Sequence, residues 1–140
     1  MKTWIVTVFA AAVAALAQCA VAQGSYPTRT ITMVVGFAPG GGTDTAARIV
    51  AKRLTATLGQ SVVVENIPGA GGNIAHETLA KANPDGHTIL LGSVGSLAVA
   101  PHIVSKLPYN PLRDFAPLTM AVTFPNVLVV NNSVPAKTLG

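Results

Sequence analysis

Three glycine-rich junctions hold most of the residues capable of chemistry in this chain. The first, Val34-Val35-Gly36-Phe37-Ala38-Pro39-Gly40-Gly41-Gly42-Thr43-Asp44, reads as a buried strand running into a turn that opens a helix at Thr43 or Asp44. Such a junction is suited to an anion: glycines let the backbone turn sharply and approach a ligand, and the unpaired N–H groups of a first helical turn supply donors and partial positive charge. Gly69-Ala70-Gly71-Gly72-Asn73 and Gly92-Ser93-Val94-Gly95-Ser96 repeat the pattern after later apolar runs. Asp44 suits either of two roles, capping the helix or meeting a ligand, directly or through a water.

Other chemistries lack their residues. A phosphate-binding P-loop ends in Gly-Lys-Ser/Thr, whereas Gly42 is followed by Thr43-Asp44; the dinucleotide fingerprint needs a third glycine where Thr45 stands. His76, His87 and His102 have no metal-ligand spacing, which points to ordinary surface or packing roles and to no metal site. Ser93 and Ser96 lack the Gly-x-Ser-x-Gly elbow, and no histidine is placed by sequence to activate them. No catalytic residue and no cofactor is expected.

The elements that must position these loops follow from periodicity. Ile31 to Gly36 and Ser61 to Asn66 are β-branched runs flanking a helix from Thr43 to Leu58, whose Ala47, Val50, Leu54 and Leu58 form an apolar stripe and which Gly59 stops. A second glycine turn, a short helix from Asn73 to Ala82, a tight turn at Pro84-Asp85-Gly86 and a strand from Thr88 to Leu91 come next. Runs apolar throughout suit strands covered on both faces of a parallel sheet, and the three glycine loops would then share its carboxyl edge, where ligands bind. Amides and small hydroxyls converging there suit a carboxylate. Further on, Leu97 to Val104 reads as a short helix interrupted by Pro101, and Leu107 to Pro111 as a surface loop. Leu118 to Thr123 and Val127 to Val130 read as strands, and Ser133 to Thr138 as the lead-in to a helix capped by Thr138.

Met1 to Ala22 has the tripartite form of a cleaved export signal: Lys2, an apolar run from Trp4 to Leu16, and the small-x-small site Ala20-Val21-Ala22. The apolar run is shorter than the roughly 20 residues that span a bilayer. Cleavage leaves Gln23 first and removes Cys19, the single cysteine, whose lipid-attachment outline is spoiled by Gln18. An exported chain without disulfides suits a bacterial periplasm. The formal net charge of +4 is a mild excess. Its cations are scattered and no aromatic residues interleave with them, so nucleic acid is not an expected partner.

The motifs together carry a resemblance. Tyr26-Pro27, Val35 to Asp44, Val64-Glu65-Asn66-Ile67-Pro68-Gly69-Ala70-Gly71-Gly72-Asn73-Ile74 and Asn83-Pro84-Asp85-Gly86-His87-Thr88 occur in this order. Leu107-Pro108-Tyr109-Asn110, Arg113-Asp114-Phe115-Ala116-Pro117 and Pro125-Asn126-Val127-Leu128-Val129-Val130 continue it. The chain resembles the Bug family, the substrate-binding receptors of tripartite tricarboxylate transporters.

The resemblance implies an α/β fold of the periplasmic binding protein type (type II), a parallel-rich sheet with flanking helices, in which two domains close on a small organic acid and pass it to membrane permease subunits. It places the signal at residues 1–22, most of the first domain at 26–124 and the crossover into a second domain at 125–140, with this chain the N-terminal part of a longer protein. The ligand-binding positions it implies are Phe37, Pro39, Gly40, Gly41, Gly42, Thr43 and Asp44 in the first loop, Gly71, Gly72 and Asn73 in the second, and Ser93 in the third. The family often has arginine where Ile67 stands and glycine where Ala75 stands. The competing reading is an exported, hydrolase-like α/β enzyme with its catalytic residues elsewhere.

Overall fold

The computed structural model describes residues 26–125 and 127–135. The expected export signal and the expected helix cap Thr138 lie outside them. Three parallel strands form the sheet: β1 (Ile31–Val35), β2 (Val62–Asn66) and β3 (Thr88–Leu91), in the order β2-β1-β3. In register, Met33 of β1 faces Val64 on one side and Ile89 on the other. Helix α1 (Gly42–Leu58) joins β1 to β2, and α2 (Asn73–Ala80), preceded by a 3-10 turn at Ala70–Gly72, joins β2 to β3.

The first crossover runs from β1 out to β2 and the second returns from β2 past β1 to β3, in opposite directions, so right-handed connections place their helices on opposite faces of the sheet. Met33 and Val35 point to one face, where they bury Ala47 and Ala51 of α1 with Val50 and Leu54 alongside. Fully burying each such valine or leucine stabilises by about 1.5–3 kcal/mol. Gly59 ends α1 in the left-handed region, φ 69°, and donates its N–H to the Thr55 carbonyl at 3.1 Å, as its position after the apolar stripe predicts.

Among the described strands β1 is the most deeply buried on both faces, and β3 is half-buried throughout. β2 alternates between half-buried and exposed residues, with Val63 and Glu65 outward, because the strand order leaves it at an edge with a helix on one side. After β3 the chain makes a wide π-type turn at Gly95–Val99 and a short helix α3 (Ala100–Ile103), so Pro101 sits within the helix's first turn, where its missing N–H costs nothing, rather than interrupting it.

The strands expected at 118–123 and 127–130 do not form. Leu118, Met120, Val127, Leu128 and Val129 are exposed and the segment is irregular. Apolar, β-branched residues supply propensity, but a strand exists only through its ladder, and no described segment pairs with this one.

Candidate binding site at the carboxyl edge of the sheet

Because all three strands run the same way, the segments after β1, β2 and β3 leave from one edge. β1 is also the point where the chain reverses its direction of winding, the place in open α/β sheets where a crevice forms. Glycine makes the loops meet. A Cβ on Gly36 would lie 2.7 Å from the Gly72 Cα and 3.3 Å from the Ala75 Cβ, so the first and second loops touch backbone to backbone. Gly72 itself has φ 95°, and a Cβ there would meet Ser96 Oγ at 3.1 Å.

In the first loop the helix begins at Gly42, a residue ahead of the expected start. Gly41 occupies the N-cap with no side-chain cap. Thr45 is the first residue whose N–H finds a helical acceptor, the Gly41 carbonyl at 2.9 Å. The N–H groups of Gly42, Thr43 and Asp44 precede it, have no helical acceptor and lie beside exposed Gly40 and Gly41. Phe124 from the downstream segment reaches this point, its ring 3.5 Å from where a Gly42 Cβ would be.

Asp44 does not occupy the cap position. It is the third helical residue, 3% exposed, and its carboxylate folds back over the loop. Oδ2 accepts from the Gly40 N–H and from Arg48 Nε, each at 2.9 Å, and Oδ1 accepts from Asn66 Nδ2 at 2.9 Å. Asn66, at the end of β2, also donates to the Phe37 carbonyl at 3.0 Å. The Arg48 bond, then the Gly40 and Asn66 bonds, hold the Asp44 carboxyl far below the usual carboxylate range. A carboxylate so committed shapes the loop and fixes its charge beside it. Neither Arg48 nor Asn66 was among the expected site residues; the four-residue spacing from Asp44 to Arg48 was the available signal.

The second loop is tied to the third and to the segment behind it. Ser96, fully buried, donates Oγ–H to the Gly71 carbonyl at 3.0 Å, while Ser93 Oγ lies 3.3 Å from Ser96 Oγ and accepts the Ser96 N–H. His76 Nδ1 donates to the Gly72 carbonyl at 2.8 Å; burial pushes this imidazole's pKa down, so it is neutral and its buried Nε2 has no partner. The ring stacks on Tyr109 with centroids 5.5 Å apart and meets Phe115 edge-on. The Tyr109 hydroxyl lies 2.8 Å from the Asn73 side-chain amide and 2.8 Å from the Ser96 carbonyl, and burial raises its pKa, so it keeps its proton.

The expected site residues are thus distributed over one edge: Phe37, Pro39 and Gly40 to Asp44 on the first loop, Gly71 to Asn73 on the second, Ser93 on the third. Ser96 and Tyr109 were missed as part of it. His76 and His87 are packed inside and His102 is exposed, as ordinary structural histidines. Among the described residues no group of three His, Cys, Asp or Glu side chains gathers, and no helix is long and apolar enough to cross a membrane.

Comparison with known proteins agrees with this architecture. Residues 46–140 match the model of the tripartite tricarboxylate transporter family receptor. Protein BugT of Bordetella pertussis is 43% identical over 120 residues, covering 85% of this chain and 37% of BugT. The structure of MatC from Rhodopseudomonas palustris with bound malate is similar with a TM-score of 0.63 and 47% identity, over 66% of this chain and 31% of MatC. Another R. palustris structure, with adipate, gives a TM-score of 0.60 and 41% identity over 62% of this chain and 29% of that one. The chain spans about a third of the length of these relatives. Matched by the family model over most of its length and sharing the fold of these structures, the chain belongs to the tripartite tricarboxylate transporter receptor family.

Proposed function

We propose that this chain carries the first-domain wall of the binding cleft in a periplasmic solute receptor, which takes a small carboxylate and delivers it to the permease subunits of a tripartite tricarboxylate-type transporter. The observation that carries the proposal is the convergence of three glycine-rich loops at the winding reversal, where the N–H groups of Gly42, Thr43 and Asp44 have no helical acceptor. Phe37, Pro39, Gly40 to Asp44, Gly71 to Asn73 and Ser93 are the proposed ligand contacts. Backbone amides and small hydroxyls there hold an anion without a basic side chain, and relatives with malate and adipate fit that chemistry. Residues 26–124 belong to the first domain in this reading, and 125–140 to the crossover.

The two serines favour a receptor over a hydrolase. Ser96 donates to the Gly71 carbonyl, Ser93 lies against Ser96, and His76 spends its one proton on the Gly72 carbonyl, so among the described residues no histidine is bonded to either hydroxyl. A thermal-shift screen of organic acids on the protein at the length its host makes is the test. A ligand at a hundred times its dissociation constant raises stability by about 2.7 kcal/mol. Binding without turnover supports the receptor; turnover of a bound ester or amide would overturn it. Export by a signal cleaved after Ala22 puts Gln23 at the mature N-terminus, which N-terminal sequencing of periplasmic material checks, a lipid-modified Cys19 being the contrary result.

A further inference from the structure

Among the described residues, His76 Nε2 is the one buried side-chain nitrogen or oxygen without a hydrogen-bond partner. The ring is 1% exposed, and its Nδ1 faces the Gly72 carbonyl at 2.8 Å. A carbonyl only accepts, so Nδ1 carries the single proton of the neutral ring and Nε2 is a bare lone pair. Gly92, just after β3, lies beside it: a Cβ there would stand 3.2 Å from Nε2 and 3.0 Å from Leu97 Cδ1. A second proton on this ring therefore creates a charged donor that no protein oxygen meets and solvent does not reach.

The same ring is the seat of a strap. Tyr109 stacks on it with centroids 5.5 Å apart, and Phe115 meets it edge-on at 6.0 Å. Between those two aromatics the chain closes on itself, Asp114 Oδ2 accepting the Asn110 N–H at 2.7 Å and the Asn110 carbonyl accepting the Asp114 N–H at 2.9 Å. From its seat Tyr109 shares its hydroxyl proton between the Ser96 carbonyl and Asn73 Oδ1, each at 2.8 Å. The strap thus joins the third loop to the first residue of α2, while His76 holds the Gly72 carbonyl of the second loop.

No charged group offsets a proton on His76. On α2, Glu77 pairs with Lys81, and on the strap Arg113 pairs with Asp114. The third loop brings Ser93 and Ser96, and β1 and β3, on which α2 packs, carry no titratable side chain. Tyr109 is the remaining titratable neighbour and stays neutral. Burial dominates, and it pushes the imidazole's pKa down.

Resting on the receptor reading above, we propose that His76 is a proton-operated latch: neutral, it seats the strap Tyr109–Phe115 and braces the second and third loops; charged in acid, it releases them, and the receptor surrenders its carboxylate. The sign follows from linkage. The latched form disfavours the proton, so latching is complete above the ordinary histidine value and weakens as pH falls through it. A ligand that needs the latched form makes His76 harder still to protonate. His76 touches no ligand in this scheme; it is a positioning residue.

Amide hydrogen exchange on the ligand-free protein at its host's full length is the first test, run from about pH 7.5 to about pH 5.5 with the intrinsic pH dependence divided out. Opening that takes up one proton becomes up to about tenfold more frequent per pH unit. The N–H groups of Gly72 and Leu97, bonded to the Gly69 and Ser93 carbonyls, lose protection on that slope while those of β1 keep theirs. In His76→Asn, whose amide nitrogen stands in for Nδ1 and does not titrate, the slope vanishes. A flat wild-type profile, or the same slope in His76→Asn, overturns the latch. Nitrogen NMR shifts of the His76 ring need no variant: they show Nδ1 protonated and Nε2 bare at neutral pH, and a ring that charges while Gly72 and Leu97 stay protected refutes it. Calorimetric titration with malate tests the coupling, the ligand's own titration being common to both proteins. Wild-type affinity falls more steeply towards acid than that of His76→Asn; equal steepness overturns the inference and leaves the receptor standing. Absence of binding for malate and every other organic acid overturns the receptor reading, and the coupling with it.

Discussion

Gly36→Ala tests whether the three loops form one unit. Gly36 is buried at the end of β1, and an alanine Cβ there lies 2.7 Å from the Gly72 Cα and 3.1 Å from the Gly72 carbonyl oxygen. Both are backbone atoms, which cannot swing aside as a side-chain end can. Reaching an ordinary contact of 3.4 Å demands a shift of about 0.7 Å between the first and second loops. The second loop resists, because Ser96 holds the Gly71 carbonyl and His76 the Gly72 carbonyl. Overpacking of this kind costs about 1–3 kcal/mol. The control is Gly59→Ala at the far end of α1, where φ is 69° and nothing lies within 4 Å, so the cost is confined to the left-handed backbone, about 1 kcal/mol, and the loops do not move apart. Urea denaturation of both variants, with ligand affinity in parallel, reads the difference. Gly36→Ala should lose stability with an unchanged denaturant slope and lose affinity by more than its fold-stability change explains, whereas Gly59→Ala loses only stability. A Gly36→Ala protein within about 0.5 kcal/mol of wild type, the range of an inconsequential surface change, refutes the claim that the loops are in rigid contact.

Three further outcomes are expected. Gly41→Val abolishes carboxylate binding with a modest stability loss, since a Cβ there meets only the Ala38 carbonyl at 3.7 Å while the branched chain fills the space in front of the helix amides; unchanged affinity by calorimetry would make the loop a plain turn. The folded-state pKa of Asp44 is depressed, so its stabilisation is complete above the ordinary carboxylate range and is lost as pH falls below it; Asp44→Asn flattens that acid limb of the stability curve, and an unaltered limb contradicts the network. His76 is also depressed, by burial, so its neutral form contributes stability that is complete above the ordinary histidine value and falls as pH drops through it; His76→Phe removes this slope between neutral pH and mild acid, as thermal melts across pH would show.

The strands and the loops between them were legible because they depend on local pattern. β-branched runs at Ile31–Val35 and Thr88–Leu91, an apolar stripe ending at Gly59, and glycines after each run dictate strand, helix and turn within a few residues. What was not legible depends on distant pairs. The Tyr109 bond to Asn73 and the Asn66 bond to Asp44 join residues 36 and 22 apart, and no periodicity encodes them. Asp44 was half legible: its place near the helix start was clear, but its direction depended on Gly40, Arg48 and Asn66 meeting it at once. The segment from Leu118 to Val130 shows the opposite failure, strand propensity without a strand, because pairing is a property of two segments and sequence displays one at a time.

The sheet order has a consequence for biogenesis. β1 supplies one side of every ladder, with β2 and β3 each pairing to it and never to one another. Translation therefore delivers the hub strand, with its row of apolar residues, before either neighbour exists. Ile31–Val35 waits for Val62–Asn66 on one flank and for Thr88–Leu91 on the other, so an emerging chain that has not reached Thr88 carries an open, sticky edge. The interval before Leu91 emerges is therefore the one in which a holding chaperone matters most.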